Sequence, residues 1–151
     1  LLGYYQNLKF YDKIWFDSKL NDIANFFDIK PHIDRIAVHY RGTDSLWAKT
    51  NSNYYEIIFH EIKTLNKKVY FVTDDKIKCL EIIKKYEITN YSFYSSSVKD
   101  DFKFLAESKT IFCSPSTFSW WSSIINSNSK NITMPLFFKK MFPVEKKIRF
   151  L

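Results

Sequence analysis

Glycine is nearly absent: the 151 residues contain two, Gly3 and Gly42. A dinucleotide-binding fingerprint and a Walker-type loop each need several glycines to bring backbone against phosphate, so both are excluded. Any phosphate site here has to be built from side chains and helix ends. Cysteine is equally scarce. Cys79 and Cys113 lie in separate apolar segments without ligand spacing, which reads as buried reduced thiols in place of a disulfide or zinc site. That favours a cytoplasmic location. No apolar run is long enough to cross a bilayer, so no transmembrane segment is expected. The opening LLGYYQNLKF lacks the basic region, long apolar core and cleavage site of a secretion signal. Arginine is rare too, with three in the chain, and the lysines are scattered. The net charge of +7 therefore reads mostly as solvated surface, and no nucleic-acid partner is expected.

What the chain does have is apolar and aromatic mass. Hydrophobic residues make up 46%, with fifteen Phe, ten Tyr and four Trp, enough for the core of one domain. Residues 9–27 carry Phe10, Ile14, Leu20, Ile23 and Phe27 at roughly helical spacing, predicting an irregular helix that ends before Pro31. RIAVHY (35–40) predicts a strand, followed by a polar loop and a helix over 54–65 in which Tyr54, Ile57, Ile58, Ile62 and Leu65 share a face. KVYFVT (68–73), YSFY (91–94), TIFCS (110–114) and NITMPLFF (131–138) predict further strands, with helices over 74–86, 100–108 and 116–126 between them. The alternation predicts an α/β fold, a Rossmann-like doubly wound parallel sheet covered on both faces.

In such a sheet ligands bind beyond the carboxyl ends of the strands. The residues found there are polar: His39, Arg41 and Asp44; Thr73, Asp74 and Asp75; Ser114, Ser116 and Thr117. Arg41 supplies a fixed cation with five donors, suited to phosphate, or else pairs with a carboxylate such as Asp44. Ser116 and Thr117 stand where a helix begins, able to hold an anion at the positive end of its dipole or simply to cap it. Asp74 and Asp75, and likewise Asp100 and Asp101, are either helix caps or ligand contacts. His39 lies in an apolar strand, where a hydrogen-bonded core histidine is the ordinary case, and Trp120 and Trp121 read as core. No third carboxylate or histidine is spaced to complete a metal site with Asp74 and Asp75.

Four segments in this order, GYYQNLKF (3–10), VHYRGTD (38–44), VYFVTDD (69–75) and DFKFLAESKTIFCSPSTFSWWSSIIN (101–126), resemble the motifs of the α1,2- and α1,6-fucosyltransferase superfamily. The resemblance implies an inverting, metal-independent transferase of GT-B type that uses GDP-fucose, with this chain as its C-terminal, donor-binding half. Residues 31–151 would be the Rossmann-like nucleotide-sugar-binding domain, and residues 1–30 a helical segment leading to a separate acceptor-binding domain. Arg41 matches the motif arginine that binds the donor diphosphate and stabilises departing GDP. Asp44 matches the motif aspartate, which orients Arg41 or faces the sugar; these two are the expected catalytic residues. His39 matches the histidine lining the nucleotide site, and Asp101 the carboxylate that reads guanine. Ser116, Thr117 and Phe118 match the loop holding the β-phosphate and flanking the base, while Asp74 and Asp75 match an acidic pair near the nucleoside.

The chain departs from the motifs in two places. Gly42 stands where the family has a second arginine, and residues 47–49 hold no glutamate base of the α1,6 kind. The expected partners are GDP-fucose or a related GDP-sugar and a glycan acceptor, with no cofactor. The alternatives are a non-catalytic nucleotide-sugar-binding module and a transferase for another GDP-6-deoxyhexose.

Overall fold

The computed structural model describes residues 12–30, 32–42, 52–125, 131–141 and 148–151. The β-branched and aromatic runs form β1 (Ile33–Tyr40), β2 (Val69–Thr73), β3 (Tyr91–Phe93), β4 (Ser108–Phe112), β5 (Asn131–Met134) and β6 (Ile148–Phe150). They make one sheet in the order β3-β2-β1-β4-β5-β6, with every neighbouring pair parallel. The amphipathic runs form α1 (Lys13–Phe26), α2 (Ser52–Thr64), α3 (Lys76–Lys85), α4 (Val98–Glu107) and α5 (Thr117–Ile124), and a 3₁₀ segment covers Leu136–Met141. From β1 the chain winds outward through β2 to β3, returns beside β1 as β4, and winds outward the other way. This is the expected doubly wound α/β sheet, and the winding reverses between β1 and β4. That reversal opens a crevice at the carboxyl ends of these two strands.

Side-chain alternation along β1 divides the core into layers. Val38 and Tyr40 pack with Tyr54, Ile58, Phe59 and Ile62 of α2 and Cys79 and Ile83 of α3. Ala37 faces the other way, toward Phe104 and Leu105 of α4. On that second face Ile111 and Cys113 pack with Trp120 and Ile124 of α5 and with Phe16 and Leu20 of α1. Each large apolar side chain buried in this way contributes about 1.5–3 kcal/mol.

Short polar side chains start the helices. Asp12 accepts from the Trp15 N–H at 2.9 Å, and Ser97 from the Asp100 N–H at 3.1 Å. The scarcity of glycine shows at the other ends, where Asp28, Asn66 and Glu87, just beyond α1, α2 and α3, take positive φ of 49°, 45° and 53°.

Several expectations are corrected. The run at 131–138 is not one strand: β5 stops at Met134, and the chain turns through Pro135 into the 3₁₀ segment. β6 was not foreseen, because three residues in a basic tail carry no period of their own. Ile14 and Ile57 are 82% and 45% exposed, while Phe16, Tyr55 and Phe59 are buried in their helices. The aromatic residues, with more area to bury, set the inward face in both.

Candidate functional site

The crevice between β1 and β4 is closed at its floor by side-chain chemistry. His39 sits near the end of β1, 5% exposed, with its Nδ1 2.6 Å from Ser114 Oγ just beyond β4. Its ring also meets Phe118, with centroids 5.4 Å apart. Burial drives the imidazole pKa down to about 4, with Asp74 opposing and Arg41 adding to the shift. His39 is therefore neutral at pH 7, bearing one donor and one acceptor nitrogen. Tyr54, buried on α2, donates its hydroxyl to the Cys113 carbonyl and so pins the chain immediately before Ser114.

The next turn of chain resolves the cluster of hydroxyls in SPSTFSWWSS. Four of them point inward and are satisfied there. Ser119 Oγ lies 3.0 Å from the Ser114 carbonyl, Ser122 donates to the Ser119 carbonyl at 3.0 Å, and Ser123 donates to that of Trp120 at 2.8 Å. Ser114 is the fourth, against His39. Ser116 and Thr117 alone reach the opening. Ser116 caps α5, accepting from the Phe118 N–H at 3.2 Å, and Thr117 is exposed at the first helical position. The first-turn N–H groups of an α-helix have no carbonyl partner within their own helix, and this end of α5 begins just beyond β4.

Arg41 follows β1 directly. Its Nε lies 3.3 Å from Asp74 Oδ2, while the other oxygen of Asp74 accepts the Gly42 N–H at 2.8 Å. One carboxylate beyond β2 thus clamps both residues beyond β1. Asp75 is the N-cap of α3, accepting from the Lys78 N–H at 3.0 Å. Its side chain also explains Gly42: a Cβ there would stand 2.6 Å from Asp75 Cβ. Glycine is required at this position by close approach, since its φ is not positive.

Asp101 lies in the first turn of α4. Asp100 turns back to the N-cap, its Oδ2 accepting from Ser97 Oγ at 2.7 Å. That leaves Asp101 turned aside, with Oδ1 accepting the Ser96 N–H at 3.0 Å. Burial raises its pKa, the Ser96 hydrogen bond works against this and Asp100 adds to it. The neighbouring Phe102 meets Phe118 edge-on at 5.6 Å, linking α4 to the α5 side of the crevice.

Of the residues singled out in the sequence, His39, Arg41, Asp74, Asp75, Ser116, Thr117 and Phe118 stand at the carboxyl ends of adjacent strands, and Asp101 is tied to them through Phe102. Asp44 lies outside the described residues. Ser114 was visible only as a polar residue after a strand, and its bond to His39 comes from the β1/β4 pairing. Among the described residues no three His, Cys, Asp or Glu side chains are grouped to hold a metal ion, and no helix is long and apolar enough to cross a membrane. A cavity of about 1270 Å³ opens at the opposite, amino ends of the strands, lined in part by Arg35, Glu61, Tyr70 and Arg149. Its arginines are engaged, Arg35 with Glu107 and Arg149 with Glu61, so size alone does not make it an anion site.

No curated protein matches the chain. Among solved structures it is similar to the NodZ α-1,6-fucosyltransferase co-crystallized with GDP, at 15% identity and a TM-score of 0.44. It is also similar to the fucosyltransferase NodZ from Bradyrhizobium, at 16% and 0.43, and to NodZ soaked with GDP-fucose, at 14% and 0.41. Each match covers 72% of this chain and 40% of the other, so the chain spans well under half the length of those proteins. The model of a sequence family described as glycosyl transferase family 11 matches residues 32–143, from the start of β1 past the 3₁₀ segment, and so includes each of the site residues named above. That match bears out the superfamily resemblance and takes in three of the four motifs, those at 38–44, 69–75 and 101–126. The chain belongs to glycosyl transferase family 11.

Proposed function

We propose that this chain is the donor-binding half of a GT-B-type fucosyltransferase-like enzyme. It binds GDP-fucose, or a related GDP-sugar, and supports inverting, metal-independent transfer to a hydroxyl of a glycan acceptor. The observation that carries this reading is the gathering of His39, Arg41 and the start of α5 around the β1/β4 reversal, in a chain of family 11.

The acceptor oxygen attacks the anomeric carbon as the bond from that carbon to the β-phosphate oxygen breaks. Negative charge grows on the departing GDP, and the Arg41 guanidinium, aimed by Asp74, stabilises it. The Ser116 and Thr117 end of α5 holds the phosphate from the other side. Phe118 flanks the base, and the free edge of Asp101 accepts from the guanine ring N–H and amino group, a pattern uracil does not offer. Neutral His39 lines the nucleotide. The acceptor proton passes to Asp44 or to a base supplied by an acceptor domain, to which residues 1–30 lead. Metal independence is supported by the engagement of both carboxylates: Asp74 with Arg41 and Gly42, Asp75 with α3 and Lys78. Two buried thiols fit a reducing compartment, the cytoplasm, as the place of work.

Calorimetric titration with GDP and UDP tests this. GDP binds, UDP does not, and Arg41→Ala and Asp101→Ala each abolish GDP binding. Failure of the wild-type chain to bind GDP overturns the assignment. GDP binding without turnover of any GDP-sugar, in the presence of acceptors, shows a binding module in place of an enzyme.

A further inference from the structure

The contact that forces glycine at position 42 also places a cation the sequence reading missed. Asp75 fills the space a Cβ would take at Gly42, with its Oδ2 3.1 Å from that point. The same Oδ2 lies 3.3 Å from Lys78 Nζ, which also donates to the Gly42 carbonyl at 3.3 Å. Gly42 is thus bracketed, with Asp74, which also holds Arg41, at its N–H and Lys78 at its carbonyl. The Lys78 side chain is 57% exposed and that of Asp75 17%, so the lysine is the solvent-accessible member of the pair.

Lys78 is poorly placed for its own helix. It stands in the first turn of α3, where a cation opposes the helix dipole, and its local compensation is the N-cap carboxylate of Asp75. The favourable places for lysine are in the last turn, occupied by Lys84 and Lys85. Lys76 shares that turn but lies over the Phe93 ring, 5.0 Å from its centre, whereas Lys78 reaches out of the helix to the Gly42 carbonyl. The need is there as well. A nucleoside diphosphate brings at least two negative charges, and the one guanidinium beyond β1 is shared with Asp74. An ammonium has three donors, and Asp75 and Gly42 occupy two.

We propose that Lys78 is the second cation of the diphosphate site, acting beside Arg41 across Gly42. The proposal rests on the nucleotide-sugar reading given above, and its test separates the two. GDP and guanosine are titrated into the wild-type chain and into Lys78→Ala, Lys78→Arg and Arg41→Ala, followed by protein amide chemical shifts. Alanine suits an exposed helical position, so the fold is kept. Lys78→Ala weakens GDP by roughly tenfold or more, the loss of a charge-assisted hydrogen bond, and leaves guanosine unchanged. Lys78→Arg stays close to wild type. If Lys78→Ala binds GDP as the wild type does while Arg41→Ala does not, the lysine is only the ion-pair partner of Asp75 and the proposal falls. Equal weakening of GDP and guanosine also overturns it, because that marks a disturbed α3. Absence of GDP binding in the wild-type chain removes the donor-site reading itself, and this proposal with it.

Discussion

His39 shows how burial decides the charge of a single residue. Its strand dictates burial and its neighbours dictate charge, so the ring is held neutral by lack of water around it. A folded pKa near 4, against about 6.5 in the unfolded chain, has a definite sign. Between these values the unfolded chain binds more protons, so stability present above pH 6.5 is lost as the pH falls, levelling off near pH 4. The loss amounts to about 3 kcal/mol. Urea denaturation of the wild type and of His39→Gln between pH 7 and pH 4 isolates it, because the carboxylates titrate in both proteins. The wild type should lose more stability than the variant by roughly that amount, and parallel curves would show an imidazole that protonates freely in the fold.

Among the elements, α4 joins the two ends of the sheet. Its first turn carries Asp100 and Asp101, beside Phe102 and its contact with Phe118, while its last residue, Glu107, is buried at the amino ends of β1 and β4. There Arg35 of β1 lies over the Phe104 ring, 3.6 Å from its centre, donates to Ser108 Oγ at 2.8 Å and stands 3.6 Å from Glu107. Glu107 also accepts the Lys30 N–H at 2.9 Å, tying the segment after α1 to the end of α4. Removing one member of such a buried pair leaves the other uncompensated. Glu107→Ala should therefore cost about 3–5 kcal/mol, and Glu107→Gln, which keeps an acceptor for Lys30, clearly less. Chemical denaturation of the two variants measures both, and a Glu107→Ala protein as stable as the wild type would show that the network contributes nothing.

At the scale of the molecule, the layers seal both thiols. Cys79 lies on the inner face of α3 against β1 and Cys113 follows β4 under α5, each with no exposed surface. Burial pushes the Cys79 thiol up to about 12, with Asp75 adding to the shift, so little thiolate exists at neutral pH. A thiol reagent at pH 8 should label neither cysteine in the native protein and both in concentrated guanidinium. Rapid labelling under native conditions would mean that the layers open easily.

Strand-forming runs separated by amphipathic ones were legible in the residues, because both periods are local properties. So were the polar strand ends, since a parallel sheet fixes where its carboxyl ends must gather. Short motifs in a set order carried the family as well, and the match over residues 32–143 agrees with them. Other features depended on contacts between residues far apart in the chain. β6 exists only because β5 offers it an edge. The pairing of β1 with β4 brings Ser114 to His39, 75 positions away. Packing of Asp75 against position 42 turns an unexplained glycine into a requirement and carries Lys78 to its carbonyl, 36 positions away. A sequence states which groups a chain owns, and burial and close approach, which arise only when distant segments share a volume, decide which of them are charged, which are occupied and which face the crevice.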